Sequence, residues 1–146
     1  MGRTVRRSAG TMALLDLVRE PRRVLWQFTP RGAAVAAADR EAFAAGEARG
    51  VAAHTYRNRR MRQGFLVLDP ASPTPVTWHR TFRARPGRSP VTLDAPFDVL
   101  AVTPGVPLSR CTLLTFTAAG TPWALAVPLR DSTLVRAALA WANGTA

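Results

Sequence analysis

Residues 111–143 read CTLLTFTAAGTPWALAVPLRDSTLVRAALAWAN, and this stretch decides the fold. From Cys111 to Leu129 the chain carries no charge for 19 residues between Arg110 and Arg130, long enough to cross a bilayer. Four threonines and a central Gly120-Thr121-Pro122 instead suit a β-hairpin. In its second half Trp123, Leu125, Val127 and Leu129 alternate with smaller residues, the period of a half-buried strand. Beyond it Leu134, Ala138 and Trp141 repeat at helical spacing, with Asp131 or Ser132 as the N-cap and Asn143-Gly144 as the stop.

Working back towards the N-terminus, the same period-2 reading predicts strands at Val91–Leu93, Phe97–Thr103 and Cys111–Thr117. Further upstream it gives Val51–Asn58, Gly64–Asp69 and Val76–Arg83, separated by an arginine-rich turn and by the proline-rich loop from Asp69 to Pro75. Before Gly50 the character is helical. An alanine-dominated helix runs from Gly32 and closes at Gly46 or Gly50, and a shorter one begins at Thr11 and ends before Pro21. A strand is expected at Val24 to Phe28, and residues 1–10, which have no hydrophobic period, are expected to form a flexible tail. The expected fold is mainly β, a β-rich α+β chain: six to seven strands form a small barrel capped by a C-terminal helix. Residues 50–146 form that domain, and residues 1–49 a basic tail and helical extension.

Composition narrows the function. The chain has 146 residues, 47% hydrophobic and 20% charged, an ordinary balance for one globular domain. Its net charge of +11 comes from arginine alone, since there is no lysine. Abundant Ala, Arg, Gly and Pro resemble the product of a GC-rich genome, so the count of arginines alone is weak evidence for an anionic partner. Their position says more: 17 of 20 arginines and six of nine acids lie in residues 1–90, which therefore hold the whole excess. A positive face built from this part is expected. The basic start, Met1 to Arg7, is not followed by an unbroken apolar run, because Asp16, Arg19, Glu20, Arg22 and Arg23 interrupt it. This argues against a signal peptide and for a cytoplasmic protein, peripheral to the membrane at most.

Arg57, Arg59, Arg60 and Arg62 place four guanidinium groups within six positions at one strand connection, where they can converge. Guanidinium groups grip phosphate with paired hydrogen bonds, and the alternative is a solvated charged turn. One cysteine, Cys111, excludes an internal disulfide and any cysteine-built metal site; in its apolar, threonine-rich run it reads as a small buried hydrophobe. His54 and His79 lack an Asp or Glu at ligand spacing and fall short of a zinc site, so neither metal nor cofactor is expected. Cys111, His79 and Asp98 can be written as a nucleophile triad, but no phosphate loop, dinucleotide fingerprint or nucleophile elbow accompanies them.

Strands followed by one amphipathic helix, with Arg57-Asn-Arg59-Arg60-Met-Arg62 between the first two, Trp78-His-Arg80 in the third and Trp141 in the helix, resemble pleckstrin-homology-like domains. The resemblance covers about Gly50 to Asn143. It implies a basic first inter-strand loop that holds phosphoinositide headgroups and a helix tryptophan that plugs an open barrel, but the lysine usual in that loop is missing here. The spacing is also similar to uncharacterised proteins of high-GC bacteria that carry a membrane helix before a β-rich domain containing Trp-x-Arg; this N-terminus shows no such helix. The reading that results is a non-catalytic module that docks on an anionic lipid surface or a protein partner through Arg57, Arg59, Arg60, Arg62 and Arg80. A nucleic-acid-binding protein using the same arginines is the alternative, and a small enzyme centred on Cys111 and His79 is the second.

Overall fold

The computed structural model describes residues 6–7, 30–80 and 90–145. The short helix expected from Thr11 and the strand expected at Val24 to Phe28 lie outside the described residues.

The chain is mainly β. In order, β1 is Arg6–Arg7, α1 Pro30–Ala44, β2 Arg49–Arg57, β3 Arg60–Leu68, β4 Val76–Arg80, β5 Val91–Thr92, β6 Phe97–Pro104, β7 Cys111–Ala118 and β8 Thr121–Pro128; a short 3-10 turn, Leu129–Asp131, leads into α2, Ser132–Thr145. Seven strands form one antiparallel sheet in the order β5-β4-β3-β2-β8-β7-β6, so the last strand returns beside the first long one; the sheet is open where a barrel was expected, because its end strands β5 and β6 do not pair. The two-residue β1 runs parallel to β2, Arg6 opposite Arg49 and Arg7 opposite Gly50. The N-terminal tail is thus tied down at these two residues by backbone pairing, which needs no hydrophobic period and leaves no trace in the sequence.

The uncharged run folds as expected into the β7–β8 hairpin, in register from Cys111 opposite Pro128 to Ala118 opposite Thr121. Ala119 and Gly120 close it with φ of 47° and 83°, the left-handed pair of a type I′ turn that matches strand twist. Among the described residues no helix is long and apolar enough to cross a membrane.

In α1 the proline sits at the first helical position, where its missing N–H costs nothing. Gly46, at φ 97°, ends the helix: its N–H reaches the Phe43 carbonyl and the Glu47 N–H reaches that of Ala42, a Schellman closure. Arg49 is buried beside this exit and forms an ion pair with Asp39 at 3.2 Å and with Glu47 at 3.1 Å.

The core lies between the sheet and α2. Val51, Leu66, Leu68, Val76, Leu114, Phe116, Leu125 and Val127 meet Leu134, Val135, Ala138 and Leu139 of the helix, and Phe43 of α1 joins the same cluster. α1, in the described part of the N-terminal extension, packs against α2 and the 3-10 turn, and its Phe43 reaches the core. Ser132 is the first residue of α2, with Asp131 immediately before it, and its hydroxyl donates to the Leu129 carbonyl. One detail of α2 differs from expectation. Asn143-Gly144 does not stop the helix, which runs to Thr145; Asn143 instead donates to the Phe97 carbonyl at 2.7 Å and accepts from the Phe97 N–H at 2.6 Å. A tertiary contact thus claims the side chain that local rules assign to termination.

Candidate anion-binding edge

β2 and β3 pair without a register shift over nine residues, and β3 and β4 over five. Side chains alternate between faces, and directly opposed residues share a face, so the register fixes which residues stand together. On the core face β2 presents Val51, Ala53, Thr55 and Arg57; β3 presents Leu68, Leu66, Gly64, Arg62 and Arg60; β4 presents Val76, Trp78 and Arg80. Along this face the residues change from buried aliphatic to exposed arginine within two or three positions.

The connection is tighter than the arginine-rich turn read from the sequence. Only Asn58 and Arg59 lie outside the strands, with φ of 52° and 60°, again a type I′ pair. Arg60 and Arg62 belong to β3 itself. The favoured pair for such a turn is Asn-Gly; a β-carbon-bearing residue in the left-handed region at the second position costs about 1 kcal/mol. Arg59 occupies that position and projects from the tip of the hairpin.

Arg57 and Arg60 face each other directly across the hairpin, where like charges repel. Arg80 lies opposite Gly64, one diagonal step from Arg62. Since Gly64 has no side chain, the indole of Trp78 lies over it and forms an apolar floor behind the arginines. All five arginines are exposed, and among the described residues none pairs its side chain with a carboxylate. The structure therefore brings Arg57, Arg60, Arg62 and Arg80 onto one face of one sheet end, with Arg59 at its tip. Gly64 and Trp78 shape the edge; the sequence signal for them was an isolated glycine within a strand pattern, which marks a close approach.

The residues of the enzymatic alternative are kept apart. Between the strands of His79 and Cys111 lie β3, β2 and β8. Asp98 pairs with Thr117, six residues along β7 from Cys111 and so about 20 Å away. Cys111 is buried, which pushes its thiol pKa up, away from thiolate chemistry. His79 Nε2 is hydrogen-bonded to Thr77 Oγ1 at 3.0 Å, and burial lowers its pKa, as it does that of His54. Among the described residues no three His, Cys, Asp or Glu side chains gather as a metal site would require.

Compared with protein-family models, with curated proteins and with solved structures, the chain matches none.

Proposed function

We propose that the chain is a non-catalytic, pleckstrin-homology-like binding module that docks on an anionic membrane surface through Arg57, Arg59, Arg60, Arg62 and Arg80. The observation that carries this reading is the gathering of these five exposed guanidinium groups at one end of the β2–β3–β4 sheet, with no carboxylate among the described residues to neutralise them. Crowding like charges costs stability in the free protein, and an anionic surface relieves that cost. The sequence of strands closing on a C-terminal helix supports the pleckstrin-homology-like part of the reading.

The surface needs no preformed headgroup pocket. Each arginine near an anionic bilayer contributes about 1 kcal/mol, so replacing Arg57, Arg59, Arg60 and Arg62 by glutamine weakens binding by about hundreds-fold. Co-sedimentation of the native chain and this variant with phosphatidylserine-containing and with neutral vesicles, at fixed ionic strength, measures it. Equal binding by both proteins removes this edge from the mechanism. Binding by the native chain to neither vesicle type, together with salt-sensitive binding to duplex DNA, transfers the same arginines to a nucleic-acid backbone.

A further inference from the structure

Near the end of α2 the amide of Asn143 lies against β6, an edge strand paired only with β7. Its Oδ1 accepts from the Phe97 N–H at 2.6 Å and its Nδ2 donates to the Phe97 carbonyl at 2.7 Å, so one side chain satisfies both backbone groups of one residue. The Ala119 N–H reaches the Pro96 carbonyl, which marks Phe97 and Ala118 as an opposed pair without direct bonds and turns the Phe97 backbone groups away from β7. Asn143 therefore fills a rung of the free edge, as a neighbouring strand would.

The next residue is Gly144, and the pair carries a reaction of its own. The Gly144 nitrogen gives up its proton and bonds to Cγ of Asn143; the Cγ–Nδ2 bond breaks, and Nδ2 takes up a proton and leaves as ammonia. The product is a cyclic succinimide. Water opens it at either carbonyl, leaving aspartate where the bond to Cγ breaks and isoaspartate, with the main chain running through Cγ, where the other does. The net change is amide and water to carboxylic acid and ammonia, with no oxidant and no catalyst.

We propose that Asn143 is a site of spontaneous deamidation, gated by the opening of the last turn of α2, and that its conversion releases the helix end from β6. Asn143 and Gly144 are both exposed, so water reaches the reacting atoms. A Cβ at Gly144 would meet nothing within 4 Å, so no neighbouring wall obstructs ring closure. In the closed state the helical backbone and the two bonds to Phe97 hold Cγ away from the Gly144 nitrogen, and helix ends are where a fold opens most readily. After conversion a carboxylate faces the Phe97 carbonyl, to which it cannot donate, and the paired contact is lost. The chain's other asparagine, Asn58, precedes Arg59, whose side chain hinders the same attack, and so serves as an internal control.

The test incubates the full chain at mildly alkaline pH and maps its peptides by mass spectrometry, which reads the change from amide to acid; retention time separates aspartate from isoaspartate. Conversion is expected at Asn143 and not at Asn58, slower by about tenfold or more than in the urea-unfolded chain. Gly144→Ala fits the open space and favours the helix, so it keeps the fold while most of the conversion is lost. Ala140→Gly, at the exposed position whose carbonyl receives the Gly144 N–H, loosens the last turn and speeds conversion. Asn143→Asp reproduces one product and lowers the melting temperature by about 4 °C, with circular dichroism reporting that the variant is folded. A native chain that keeps Asn143 intact while the unfolded chain converts, equal rates in the two states, or an Asn143→Asp variant that melts with the native chain would overturn the proposal.

Discussion

Gly64 lies beneath the indole of Trp78, so close that a Cβ at this position would overlap the ring and stand 2.7 Å from the carbonyl oxygen of His79. Trp78 is almost fully buried, and one of the two obstacles is backbone, so neither yields cheaply. Gly64→Ala therefore strains the β3–β4 pairing. The expected loss is about 3 kcal/mol, the upper part of the usual range for overpacking, read by urea unfolding. An unchanged unfolding midpoint would mean that the indole is not held over Gly64.

The same pair shows how far the sequence could be read. Alternation predicted strands at Gly64–Asp69 and Val76–Arg83, and strands stand there at Arg60–Leu68 and Val76–Arg80, because period 2 is a local property of the chain. That Arg80 stands one diagonal step from Arg62 follows only from register, which depends on which strands pair and where. The turn was misjudged for a different reason. Asn58-Arg59 lacks the glycine that announces a two-residue type I′ turn, so Arg60 and Arg62 read as loop when they are strand. Asn143 was illegible for a third reason: its work is done at Phe97, 46 residues away.

Trp141 illustrates a partial reading. Helical spacing turns it inward as expected, yet it is only half-buried, and its ring meets Phe43 of α1 edge to face at 6.0 Å and 85°. It therefore braces α2 against α1 at the margin of the core. Trp141→Ala is expected to cost about 2–3 kcal/mol, below the 3–5 typical of a fully buried aromatic. A double-mutant cycle with Phe43→Leu should return a coupling of about 1 kcal/mol for the ring pair. Additive effects of the two substitutions would show that they stabilise the fold independently.

The histidines set the response to acid. Among the described residues, Nδ1 of His54 is buried without a hydrogen-bond partner, His79 is bonded at Nε2 to a hydroxyl, and neither forms an ion pair with a carboxylate. Burial lowers both pKa values from 6.5. In the folded chain they stay neutral at a pH where the unfolded chain has begun to bind protons. The unfolded state then holds more protons, and stability rises with pH. Conversely, stability is fully present above the unfolded value and is lost as pH falls from 6.5 through the depressed folded values. Melting temperature should therefore drop between about pH 7 and pH 5.5, before most carboxylates titrate. The variant with both His54→Gln and His79→Gln should melt at a nearly constant temperature over the same interval. Glutamine fits differently and shifts the absolute temperature, so the comparison rests on slope alone. A native chain whose melting temperature is flat across this interval, or a double variant that keeps the native slope, would show that other groups govern the acid limb.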